Sequence, residues 1–348
     1  MRPTIHIPQL FILGFLLLLM IAALWLGVPL KYIVSDSLVR LVMNGVLVLS
    51  LVPMLNAGVG LNFGLPVAIA AGLLGLCLSV QFRIHGLTGF FSALAFALPA
   101  ALLFGWSYGH LLNRVKGKEE IAATFTGFAF VSLMNFFWAT APFSNPAMLW
   151  PIGGKGMRPT IGLRPFFGKS LNTLWSLDLG GITVPLGLLL FFAALCLLVR
   201  LFFKTQTGRA LIAVGENEAF ARLAGVDISR MRILAVILAT VLGAWGICVY
   251  AQSYGFIELY DAPLMMAFPA ASAVLVGGSR GRRTTIWHVV LGTYLFQTTY
   301  IISGPIANEL MIPEVAEIFR MLISNGIILY ALIYEGSRQR NRRRHATP

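Results

Sequence analysis

Charge is scarce in this sequence: only 11% of its 348 residues are Asp, Glu, Lys or Arg, against roughly 25% in an ordinary soluble domain. No water-soluble domain of useful size can be assembled from it. Cysteine is nearly absent as well. Cys77, Cys196 and Cys248 each lie inside an apolar run, and their spacing matches neither a zinc site nor a disulfide framework. The histidines, at positions 6, 85, 110, 288 and 345, form no HExxH pair, and no two carboxylates are placed for general acid–base work. The stretch closest to a phosphate-binding loop, Gly162-Leu-Arg-Pro-Phe-Phe-Gly-Lys-Ser170, has one residue too many between its glycines. These absences exclude a legible enzyme active site and a metal site, and they predict that the chain does not itself bind ATP.

Apolar residues are what the sequence has in abundance, at 58% of the chain with a mean hydropathy of +0.82. A helix needs about 20 mostly apolar residues to cross the hydrocarbon of a bilayer, and such runs follow one another near 9–29, 38–57, 63–82, 88–111, 121–142, 183–203, 231–252, 263–278, 286–303 and 314–334. The expected fold is an all-α membrane protein, a polytopic bundle of about ten transmembrane helices in one domain covering 1–348. Arg2 before the first run resembles a secretion signal, but the run is too long and lacks a small-residue cleavage site, so it is expected to stay as the first span. Gly60, Gly64 and Pro66 interrupt the chain where spans two and three meet. Backbone freed there must line a cavity or find protein partners.

The formal charge is +13, but the basic residues sit in short clusters between apolar runs, which argues against nucleic acid and for topology signals. Arg2, Arg114, Lys116, Lys118, Arg200, Lys204, Arg209, Arg222, Arg230, Arg232, Arg280, Arg282, Arg283 and the basic tail at 336–348 fall on one side, and Lys31, Arg83, Lys155, Arg158, Arg164 and Lys169 on the other. The richer side is retained in the cytoplasm, which places both termini and the 204–230 loop inside and the Gly- and Pro-rich segment 143–182 outside, over the mouth of the bundle. Phe63, Pro66, Ala68, Ala70, Ala71 and Gly72 echo Phe268, Pro269, Ala270, Ala271, Ala273 and Gly277. Interrupted helices at corresponding places in two halves point to a central pathway.

Within the 204–230 loop, Asn217 is a good N-cap, Glu218 and Arg222 form an i, i+4 pair, and Gly225 is a natural stop. Ala219, Phe220, Leu223 and Ala224 then share one face of a short helix. An aromatic on such a helix outside the membrane needs a partner, either another protein or lipid headgroups.

Here the sequence resembles a family. Gly208-Arg209-Ala210, Gly215-Glu216-Asn217-Glu218-Ala219 and Ala221-Arg222-Leu223-Ala224-Gly225 are similar to the coupling loop of the ABC permeases that import ribose, galactose and related small molecules. Ala270 to Gly278 with Arg280-Gly281-Arg282 and Gly292, and Leu102 to Gly109 ahead of a basic turn, resemble further stretches of that family. The resemblance implies a permease in the bacterial inner membrane, with Gly208, Arg209, Gly215, Glu216, Asn217, Glu218, Phe220, Arg222 and Gly225 engaging a separate ATP-binding subunit that carries the ATP and Mg. It also implies a second permease, a copy or a paralogue, and a periplasmic or lipid-anchored substrate-binding protein. Asn62-Phe63-Gly64 stands where many sugar permeases have Asp-Leu-Ser, which leaves nucleosides and vitamin-like solutes open beside sugars. An ion-coupled transporter would need ionisable groups at the bilayer midplane, whereas Glu119, Glu258, Asp261 and Glu314 sit at the ends of the apolar runs.

Polar groups within spans are costly in lipid and usually face protein or an aqueous path. Asn44, Asn56, Asn62, Thr124, Thr126, Asn135, Gln252 and Gln297 qualify. Asn56, Asn62, Phe63, Pro66, Gln252 and Phe268 are the pathway candidates, with Asn62 first because it adjoins the broken backbone. Arg40 and Arg320 fall near span ends and are read as interfacial anchors.

Overall fold

The computed structural model describes residues 7–150, 154–279 and 283–310, together with isolated positions between 318 and 333. The helices are α1 (Ile7–Trp25), α2 (Leu30–Leu49), α3 (Leu51–Asn56), α4 (Leu65–Gln81), α5 (Gly86–Arg114), α6 (Glu119–Thr140), α7 (Ser170–Thr173), α8 (Leu186–Phe202), α9 (Gln206–Glu216), α10 (Glu218–Leu223), α11 (Ile228–Tyr254), α12 (Ala267–Val276) and α13 (Ile286–Leu310), with a 3-10 turn at Ala262–Met266. Among the described residues, four stretches suffice by length and composition to cross a membrane: Lys31–Asn56, which joins α2 and α3, and α5, α6 and α11. Helix α8 passes the same test only when counted together with α9, from which it is bent by 76°. Helix α13 has the length, at 25 residues, but Gln297 and three threonines dilute its apolar run. The expected span at 314–334 lies mostly outside the described residues, as do Arg2, Arg280, Arg282, Arg320 and the basic tail.

The core forms around α4, which is flanked by α5 and α11 and buried along nearly its whole length. Small residues make this possible. A side chain on Gly72 would collide with the Ala244 carbonyl of α11, and one on Gly75 with the Ala93 carbonyl of α5, so backbones touch where bulkier residues would hold the helices apart. Between α3 and α4, residues 57–64 are not helical. Gly58 and Gly60 take positive φ values of 68° and 105°, and Pro66 then enters the first turn of α4, where its missing N–H costs nothing.

Two expectations need correction. Among the described residues four short strands accompany the helices: β1 (Thr160–Gly162), β2 (Ser176–Leu179), β3 (Ile182–Pro185) and β4 (Phe256–Glu258). β2 and β3 form a hairpin turning at Gly180 and Gly181, and β1 pairs antiparallel with β4, Ile161 opposite Ile257. The segment around β1 packs across one end of the bundle through Met148, Met157, Leu163, Phe167 and Leu171, all fully buried. The second correction is that α2 begins at Leu30, not near 38, because Ser35, Asp36 and Ser37 are helical despite their polarity. Arg40 therefore lies within the helix, not at its start, and is paired with Asp36 at 3.0 Å.

Candidate functional site: the α9–α10 segment and the α3–α4 hinge

At the end of the bundle opposite the strands, Thr205 and Asn217 begin α9 and α10 by accepting the Gly208 and Phe220 N–H groups, each at 3.1 Å. Helix α10 closes where the Gly225 N–H donates to Arg222 O and the Val226 N–H to Ala221 O, with Gly225 at φ 77°. That pairing is a Schellman stop. A six-residue helix is too short to persist by propensity alone, and these caps, with Ala221 packed among Val214 and Ile228, hold it. Its outer face is Ala219, Phe220, Leu223 and Ala224, all exposed, Phe220 at 65% and Leu223 at 89%. Arg209 and Arg222 are exposed too, while Gly208 is buried where a side chain would strike the Phe202 carbonyl.

The expected pair of Glu218 with Arg222 is replaced by longer-range partners. Glu218 binds Lys116 from the α5–α6 turn and lies 3.6 Å from Arg232 of α11. Arg232 is buried and also holds Glu119 and, at 3.0 Å, the Asn113 side-chain oxygen. The next residue, Glu120, accepts the Leu61 N–H of the hinge at 3.4 Å. Sequence reasoning assigned Lys116, Glu119 and Arg232 only to topology or span ends, since nothing local links positions more than a hundred residues apart.

A second bridge runs directly from α9 to the hinge. Gly215 lies against the backbone of Asn56 and Gly58 so closely that a side chain would collide with the Asn56 carbonyl. Beside it Glu216 binds Arg283, whose guanidinium holds the Glu216 carboxyl below the usual carboxylate range. Asn56 uses both ends of its amide on Thr284, donating to its carbonyl at 3.0 Å and accepting its N–H at 2.7 Å. The α9 terminus, the end of α3 and the entry to α13 are thus clamped together.

The other pathway candidates divide. Asn62 is buried at 1% exposure, accepts the Tyr108 hydroxyl at 2.9 Å, and leaves its Nδ2 without a partner among the described residues. The neighbouring Phe63 meets Phe268 of α12 with ring centroids 5.2 Å apart, so the two echoed segments touch at their phenylalanines, with Pro66 starting the helix behind them. Asn56 and Gln252 are instead occupied. Gln252 accepts the Leu171 N–H at 3.2 Å and donates to Asn172 and Ser253, tying α11 to the strand-bearing cap. Thr124 and Thr126 donate to carbonyls of their own helix, and Asn135 to Asp261.

The family model described as "Branched-chain amino acid transport system / permease component" matches residues 33–332. The chain is 29% identical over 159 residues, 44% of it and 46% of the relative, to the ABC transporter permease protein YphD of Escherichia coli K12. It is 28% identical to the autoinducer 2 import system permease protein LsrC of Enterobacter sp. strain 638, covering 57% of this chain and 54% of that one. To the ribose import permease protein RbsC of Escherichia coli K12 it is 24% identical, covering 82% and 79%. The chain thus spans about half the length of the first two relatives.

Proposed function

The chain belongs to the branched-chain amino acid transport system / permease component family, and from that premise we propose that it is the membrane-spanning permease subunit of an ATP-driven, binding-protein-dependent importer of a small polar solute, a sugar or sugar-like compound. Relatives named for ribose and autoinducer 2 support the solute class. The single observation that carries the role is the exposed Phe220 and Leu223 face on a helix fixed at both ends. An ATP-binding subunit would receive that face, and its movement would reach the hinge through Gly215 and Asn56. The permease performs no chemistry of its own. It alternates between openings to the two sides, and ATP binding biases that equilibrium by pulling on α9 and α10.

In this reading the bundle has about ten spans in the bacterial inner membrane, both termini and α9–α10 cytoplasmic, and the strand-bearing end outside. A second permease completes the pathway. The substrate-binding protein would dock on the strand-bearing end, where Lys155, Arg164 and Lys169 are exposed and could steer an acidic rim. Arg158 drops out of that set, because its guanidinium is already bonded to the Leu149 and Pro146 carbonyls.

The test is Phe220→Asp, which would put an unpaired charge into the receiving pocket. The residue lies outside the apolar spans, so expression and detergent monodispersity should match wild type. ATP-driven uptake in proteoliposomes should be lost and copurification of the ATP-binding subunit weakened. Normal uptake with the ATP-binding subunit still attached would overturn the coupling role and favour a helix resting on lipid.

A further inference from the structure

A cavity of about 450 Å³ opens between α2, α11, α12 and α13, with β4 and the 3-10 turn also on its wall. Its volume lies within the range of about 300–1,000 Å³ usual for small-molecule sites. The polar groups on its wall are Arg40, Asn44, Tyr250, Glu258, Gln297 and Tyr300. Gln297 is 92% removed from solvent, being 8% exposed, yet among the described residues its amide has no hydrogen-bond partner. The Glu258 side chain likewise meets neither a cation nor a donor among the described residues, although it faces the same space.

Charge decides what such a site can hold. Arg40 is neutralised by Asp36, 3.0 Å from its Nε, and its guanidinium stands 5.9 Å from the centre of the Tyr300 ring. Glu258 has no such compensation. The described wall therefore carries one uncompensated negative charge in a surrounding of low dielectric, which repels anions strongly and tolerates neutral or cationic solutes. The free groups both donate and accept: the Gln297 amide, the Asn44 carbonyl oxygen and the Glu258 carboxylate can bracket vicinal hydroxyls, and the faces of Tyr250 and Tyr300 can cover the C–H side of a saturated ring.

Resting on the transport reading above, we infer that this cavity is a selectivity site of the permease itself, which takes an uncharged or amine-bearing polyhydroxylated ring and turns anionic ones away. Discrimination would then be exercised a second time inside the membrane, after release from the binding protein.

The experiment uses the full-length permease in nanodiscs, with Cys77, Cys196 and Cys248 replaced by Ala and a single thiol introduced by Gln297→Cys. The probes are ethylammonium methanethiosulfonate and sulfonatoethyl methanethiosulfonate. The cation should react faster than the anion by about tenfold more than it does with a free thiol in solution, as a negatively charged cleft requires. Glu258→Gln should bring that ratio back to the solution value. Millimolar ribose or glucosamine should slow the labelling, and gluconate should not. Asn44→Cys gives the same reading from α2 should Gln297→Cys fail to accumulate. An anion that reacts as fast as the cation, a ratio unmoved by Glu258→Gln, or protection by gluconate equal to that by ribose would overturn the inference. The ratio is read on the permease alone, so it fails separately from the importer reading: ATP-driven uptake with no charge preference sinks only the cavity, and charge preference without ATP-driven uptake sinks only the importer.

Discussion

The α9–α10 end and the α2–α13 cavity treat buried polar groups in opposite ways. At the former, Arg232 holds Glu119 and Asn113, Glu218 bridges Lys116 and Arg232, and Asn56 closes both ends of its amide on Thr284. In the latter, Gln297 and Glu258 face the cavity without a hydrogen-bond partner among the described residues. The difference follows from what each region must do. A segment that transmits a pull has to move as one body, and paired charges with bidentate amides remove slack. A segment that passes a solute has to exchange partners, and groups already bonded to protein cannot.

The comparison can be broken most forcefully at Arg232. Replacing it with Met leaves the half-buried Glu119 without its cation, and removing one member of a buried pair costs up to about 3–5 kcal/mol. The purified Arg232→Met protein should therefore melt well below wild type, whereas Glu258→Gln in the cavity, which severs nothing, should leave the melting temperature unchanged. Equal losses from both would erase the distinction. A smaller effect is expected at Asn56. Asn56→Ala strands the Thr284 backbone groups, at about 1–3 kcal/mol, and should also slow uptake, because the clamp joins the hinge to α13. Asn62→Ala removes one bond, to Tyr108, and should cost less in stability than Asn56→Ala; the reverse order would contradict the clamp.

The smallest effect belongs to the exposed Glu216–Arg283 pair, since surface ion pairs contribute little. Glu216→Gln should change uptake by less than twofold at neutral pH. The sign with acidity is fixed by the lowered Glu216 pKa. A carboxyl depressed in the folded state stabilises it above the ordinary carboxylate pKa and loses that contribution as pH falls through the depressed value. The difference in melting temperature between wild type and Glu216→Gln should hold near neutrality and vanish in strong acid. A difference that grows on acidification would refute the pairing.

How much of this could be read from the sequence depended on the range of the interaction. The caps of α10 were legible because Asn217 and Gly225 act within three to five residues of themselves. The partner of Glu218 was not, since the nearby Arg222 is the only cation that local spacing can offer, and Lys116 and Arg232 arrive through the fold. Asn56 and Gln252 were recognisable as amides in apolar helices, but their partners, Thr284 for the one and Leu171 and Asn172 for the other, were not. The start of α2 was misplaced because Ser35, Asp36 and Ser37 interrupt its apolar run, and with that boundary went the position of Arg40. Strands of three or four residues leave too short an alternation to detect, most of all when, as for β1 and β4, the two partners are a hundred positions apart.

That last pairing carries a consequence for biosynthesis. β1 at Thr160–Gly162 has no partner until β4 at Phe256–Glu258 has been made, and five helices, α7 to α11, intervene. At about 5–20 residues per second, the ribosome leaves the cap unpinned for roughly 5 to 20 s. During that interval the apolar side chains of Met157, Ile161 and Phe167 have no finished bundle to rest on, so the nascent chain must pass through a state open to chaperones and proteases. Closure of the β1–β4 ladder then acts as an assembly checkpoint, reached only when α11 has been inserted alongside α4 and α5.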